Sequence, residues 1–188
     1  MKLVLGISGA SGIPLALRFL EKLPKELEVF VVASKNAHIV ALEESQINLK
    51  TALKDLRPNA TFFNEQDIHA SISSGSYGVD KMAIIPASMD MVAKIAHGFS
   101  GDLISRAASV MLKEKRPLLI APREMPLSDI MLENLLKLAR SNAIISPPMM
   151  TYYTQSKTLE SMQDFLVGKW FDSLGIENDL YPRWGVLS

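Results

Sequence analysis

The feature that most constrains this chain is a rhythm in which short β-branched apolar runs alternate with longer amphipathic stretches. A run that is apolar on both faces must be covered on both, and a parallel sheet between two helix layers does that. The pattern predicts strands over Lys2 to Ser8, Leu27 to Ser34, Lys81 to Ala87, Pro117 to Pro122 and Ala143 to Ser146. It predicts helices over Ile13 to Leu23, Lys35 to Glu44, Met89 to His97, Leu103 to Lys115, Ser128 to Ser141 and Leu159 to Leu174. Pro14 suits a first helical turn, and Gly175 suits the end of the last helix. The signals conflict between Gln46 and Gly78, which is read as one short strand and loop. The expectation is an α/β fold in three layers, with a doubly wound, mostly parallel sheet, and a single domain over 1–188.

Charge and composition remove several function classes. Lys plus Arg equals Asp plus Glu at 20 each, so no overall field attracts nucleic acid or an anionic membrane. With no cysteine and three scattered histidines, thiolate chemistry is excluded and no metal site is expected. Leu3 to Ile7 is too short for a signal-peptide core, no stretch has the length of a membrane span, and the cytoplasm is the expected location.

In an open parallel sheet, ligands bind beyond the carboxyl ends of the strands. Those positions are polar here: "SGASG" after the first strand, Ser34-Lys35 after the second, Ser88 after the strand ending at Ala87, and Arg123-Glu124 after "RPLLIAP". Ser11, Ser34 and Ser88 each have two readings: helix caps, or hydroxyls that join unpaired backbone N–H groups in holding an anion. Gly6, Gly9 and Gly12 match neither the dinucleotide fingerprint nor the Walker A loop. They do allow a sharp turn and close approach to a ligand.

The helix predicted from Leu103 is apolar nearly all round, with Arg106, Ser109 and Lys113 on one stripe. That stripe must reach water or meet an anion, since unpaired buried charge is costly. Arg123 and Glu124 form either a mutual surface pair or a phosphate grip beside a proton-exchanging carboxylate. His38, His69 and His97 read as structural or surface residues. The methionines read as core, except that Met89 and Met91 are placed to pack against a flat ring.

"GISGASG", Ser34-Lys35, Glu44, "SISSGS", "PASMDM", "RAASVMLKEKRPL", "PREMPLS", "PP" followed by "YY", and "LYPRWG" occur in this order along the whole chain. Together they resemble the UbiX-type flavin prenyltransferase family. The resemblance implies a flavodoxin- or Rossmann-like subunit that joins a dimethylallyl group from dimethylallyl monophosphate to reduced FMN, at N5 and then C6. The prenylated FMN would serve UbiD-type decarboxylases, and the subunits would assemble into a homo-oligomer, a dodecamer by family likeness. FMN would lie against Gly9, Ala10, Ser11, Ser34, the turn Ser88, Met89, Asp90 and Met91, and Arg123. The prenyl phosphate would meet Ser11, Arg106, Lys113, Glu124, Tyr153 and Lys169, the last two from a neighbouring subunit. Trp184 would close the pocket, Glu44 would assist proton movement, and Glu124, Glu44, Lys113 and Ser11 would carry the catalytic work.

Three positions depart from the family pattern: Lys169 stands where arginine is common, Ala87-Ser88 where Cys-Ser is frequent, and Ser109 where aspartate is common. The chain has no adjacent Asp pair of the kind that holds magnesium on prenyl diphosphates, in keeping with a metal-independent reaction. Two other readings are a flavin-dependent decarboxylase of the same superfamily, whose usual cysteine is missing here, and a non-catalytic FMN carrier.

Overall fold

A computed structural model describes residues 1–154, 156–183 and 185. Its strands are β1 (Lys2–Ile7), β2 (Glu28–Ala33), β3 (Thr61–Asn64), β4 (Lys81–Ala87), β5 (Leu118–Pro122) and β6 (Ala143–Ile145). All pair in parallel, in the order β3-β2-β1-β4-β5-β6, which is the Rossmann-type doubly wound arrangement. The helices are α1 (Ile13–Lys22), α2 (Lys35–Ser45), α3 (Leu49–Leu56), α4 (Met89–Ala96), α5 (Leu103–Lys113), α6 (Asp129–Arg140) and α7 (Leu159–Ser173). The expected strands and helices are all present, with ends moved by one or two residues.

Each strand feeds two cores because successive side chains point to opposite faces. In β1, Leu3, Leu5 and Ile7 pack with α1, α2, α3 and α7, while Val4 packs with the α4, α5 and α6 layer. Gly6 sits where an added Cβ would come within 2.9 Å of Ile104, so its missing side chain lets α5 lie close to the sheet. On the other face, Phe19 meets Phe171 edge-on at 5.0 Å. Trp170, fully buried, donates its indole N–H to the Ser146 carbonyl at 3.1 Å. That bond ties α7 to the chain just past β6.

One expectation is corrected: between Gln46 and Gly78 the chain forms α3 as well as the short strand β3. Asn48 caps α3 by accepting the Thr51 N–H at 3.1 Å, and Leu49 and Leu53, one turn apart, are its buried residues. Burial of that two-leucine face holds so short a helix, which would not persist alone.

Candidate active site

Strand order reverses between β1 and β4, so the loops leaving these neighbours diverge and open a crevice at the sheet's carboxyl edge. Ser8 pins both sides of it. Its hydroxyl, buried where β1 leaves the sheet, donates to the Pro86 carbonyl at 3.0 Å and accepts the Ser88 N–H at 2.7 Å. A buried hydroxyl so satisfied ties the two loops together. Sequence reading passed over Ser8; its signal was a hydroxyl closing an otherwise apolar strand.

The glycine loop then crosses the first turn of α2. A Cβ on Gly9 would stand 2.4 Å from the Asn36 Cβ, so only glycine fits this approach. Gly12, at φ 103°, is the residue that begins α1, and no side chain caps that helix. The capping reading therefore fails for Ser11, whose hydroxyl lies one residue too early. It holds for Ser34, which accepts the Ala37 N–H at 3.1 Å, and for Ser88, which accepts the Met91 N–H at 3.3 Å.

A cleft of about 240 Å³ brings together Gly9, Ser34, Ser88, Asp90 and Met91 from the predicted set, with Ser8, Lys35, Asn36, Glu65, Lys94 and Asp102. Met91 is buried in the sheet–helix core and reaches the cleft from below, while Met89 is half-buried against the same layer. The three carboxylates in this cleft all have partners. Asp90 and Asp102 flank the Lys94 ammonium at 2.9 and 3.7 Å, and the hydrogen bond to Asp90 raises the Lys94 pKa against the opposing effect of burial. Asp102 also caps α5 through the Ser105 N–H at 2.9 Å. The Glu65 carboxylate accepts the Lys35 N–H at 2.8 Å, taking one of the unpaired donors at the start of α2. None of Lys94, Asp102 and Glu65 was selected from sequence, because three separate elements carry them.

The remaining predicted residues lie around this cleft or away from it. Ala10 and Ser11 belong to the glycine loop. The Arg123 N–H bonds the Ala87 carbonyl at 3.1 Å, lacing the exit of β5 to that of β4. Arg123 and Glu124 are both exposed and do not pair with each other; the Glu124 carboxylate accepts the Met125 N–H at 3.0 Å. The basic stripe on α5 reaches water within the single chain, so it needs no anion to offset burial. Arg106 is exposed and donates to the Ser73 carbonyl at 3.3 Å, and exposed Lys113 pairs with Glu114.

Glu44 stands apart from the cleft lining. It is exposed in the last turn of α2, about 14 Å along the helix from the end that faces the cleft. Tyr153 stands edge-on to Phe165 at 5.7 Å, and the Lys169 ammonium lies 5.9 Å from the Tyr181 ring centre. Trp184 falls outside the described residues.

The Flavoprotein family model matches residues 1–170. The chain is 91% identical to the flavin prenyltransferase UbiX of Helicobacter pylori strain J99, over 99% of its own length and 100% of that protein. Among solved structures, AnUbiX (PadA1) in complex with FMN and dimethylallyl pyrophosphate superposes with a TM-score of 0.93 at 35% identity, covering 98% of this chain and 97% of that one. A dodecameric FMN-dependent UbiX-like decarboxylase from Escherichia coli O157:H7 gives a TM-score of 0.89 at 38% identity, with 98% of both chains covered.

Proposed function

The chain belongs to the UbiX family of flavin prenyltransferases, and we propose how its own residues join a dimethylallyl group to reduced FMN. It is a transferase, and FMN is its flavin. The observation that carries this reading is near-identity to a flavin prenyltransferase over the whole chain, together with a polar crevice at the β1/β4 reversal.

The residues present suit FMN. Backbone N–H groups at the starts of α2 and α4 and the hydroxyls of Ser11, Ser34 and Ser88, beside a loop whose Gly9 admits no Cβ, would make a donor set for a phosphate monoester and its polyol chain. Gly9, Ala10, Ser11, Ser34, Ser88, Met89, Asp90 and Met91 would bind the flavin, and Arg123 would grip it from the β5 exit. Reduced FMN held there would supply the nucleophilic ring atoms, N5 and C6.

Breaking the allylic C–O bond leaves a delocalised cation and a phosphate, so the site must receive negative charge and keep water from the cation. Arg106, Lys113 and Lys169 would take the phosphate, with Ser11 donating to it. Tyr153 and Trp184 would shelter the cation with their π faces. Glu124 would exchange protons with the released phosphate. The prenyl donor is read as the monophosphate.

At 240 Å³ the cleft of one chain is smaller than the ~300 Å³ at which small-molecule pockets usually begin, which supports a site completed by other copies. Exposed apolar side chains beside Arg123 and Glu124 support assembly: Met125 is 88% exposed and Ile130 71%. In a homo-oligomer, read as a dodecamer, Tyr153, Lys169 and Glu44 would serve a neighbour's site, which would reconcile Glu44 with its distance from its own. Residues 1–188 are read as one FMN-binding domain. No helix among the described residues is long and apolar enough to cross a membrane. The cytoplasm, and a UbiD-type decarboxylase as recipient of the product, complete the reading.

The test is anaerobic incubation of the purified protein with reduced FMN and dimethylallyl monophosphate, followed by mass spectrometry of the flavin. Gain of one dimethylallyl unit is expected; recovery of unmodified flavin alone would overturn the proposal.

A further inference from the structure

A second cavity, larger than the cleft at the β1/β4 reversal, lies outside it. It occupies about 560 Å³ at the β3 edge of the sheet, between α2 and α3, well within the size range of small-molecule sites. Edge strand β3 is only four residues long, and residues of α2, α3, β2 and β3 line the cavity.

Val31, Leu53 and Phe62 form apolar walls, and three ammonium groups, from Lys35, Lys50 and Lys54, line the same cavity. No ion pair among the described residues uses any of these three lysines. Glu65, the carboxylate in the lining, is already bonded to the Lys35 N–H, and His38 lies between it and Lys50 electrostatically: burial and Lys50 lower its pKa while Glu65 opposes them. The lining thus combines apolar and basic side chains. The three lysines are exposed and solvated in the single chain, so they are free to turn toward an anionic head, while an apolar body would cover the apolar part of the lining.

We propose that this cleft is a second binding site, separate from the flavin crevice, for a small organic anion: a flat apolar body bearing one carboxylate or phosphate. The body packs on Leu53 and Phe62, and the head pairs with Lys50 and Lys54. Only Lys35 and Glu65 are common to this cleft and the flavin cleft.

The experiment is titration calorimetry of the assembled, FMN-loaded protein with 2-naphthoate. Saturable binding is expected, weakened about tenfold in the Lys50→Ala/Lys54→Ala double variant, the scale of one charge-assisted contact, with flavin retained by both proteins. Affinity should also fall with added salt. The absence of saturable binding would mean that a second copy covers the cleft and would overturn the proposal. Equal affinity in the double variant, or displacement of FMN by the probe, would place the binding elsewhere and overturn it equally. Flavin retention is read separately, so these outcomes do not bear on the prenyltransferase reading.

Discussion

The carboxylate of Asp172, near the end of α7, accepts a hydrogen bond from the hydroxyl of Tyr181 on the segment that follows. Arg183 at 2.5 Å and Asn178 at 2.9 Å donate to the same carboxylate, so this one side chain latches the returning segment onto the helix. Gly168 makes room for the Tyr181 ring, which a Cβ there would meet at 2.5 Å.

Burial alone would raise the Asp172 pKa, but the bonds from Arg183, Tyr181 and Asn178 outweigh it and hold the carboxyl below its usual range. A carboxyl depressed in the folded state stabilises the fold above its unfolded pKa of about 3.9, and that contribution is lost as pH falls through the folded value. Asp172→Asn should lower stability by about 1–2 kcal/mol at pH 7, with the gap closing below about pH 4. Thermal melts across that range measure it, and a gap that ignores pH would leave Asp172 only a packing role.

Gly9→Ala forces a Cβ against Asn36 and must push the loop away from α2. Overpacking of this kind costs about 1–3 kcal/mol, and the displaced loop should also bind FMN more weakly. Melting and flavin titration read the two effects independently. Unchanged flavin affinity would show that the loop's approach to α2 does not shape the crevice.

Glu65 holds a backbone donor that an incoming phosphate would use. Glu65→Gln removes a negative charge from the crevice, so FMN should bind on the order of three- to tenfold more tightly, with the gain shrinking as salt rises. Weaker binding by the variant would instead make Glu65 a direct partner of the flavin's hydroxyl groups.

Arg123 is anchored by its backbone and exposed at its side chain, the condition for reaching a ligand. Arg123→Ala should cost roughly 1.5–3 kcal/mol of flavin affinity, the range of a charge-assisted hydrogen bond. An identical FMN titration curve for parent and variant would refute the contact.

Glu124→Gln should keep FMN affinity and slow prenyl transfer on the order of a hundredfold, as removal of a general acid or base does. Single-turnover rates with dimethylallyl monophosphate decide this, and equal rates would remove Glu124 from proton transfer.

The layers, the strands and most of the helices were legible in the chain because their causes are local. Apolar runs such as Leu3 to Ile7 have no exposed face to offer, and Ser34 and Ser88 cap donors only three residues away. Those same neighbours placed Gly9, Ser34 and Ser88 at strand ends, hence on one rim. Tertiary structure alone decided what the rim is made of. Ser8 meets Ser88 across 80 residues, and Glu65 reaches Lys35 across 30. α3 went unread because a two-leucine face is too weak a signal until the sheet buries it. Periodicity records which side of an element is apolar. Which polar side chains meet depends on strand order and register, and these emerge only when distant segments pack together.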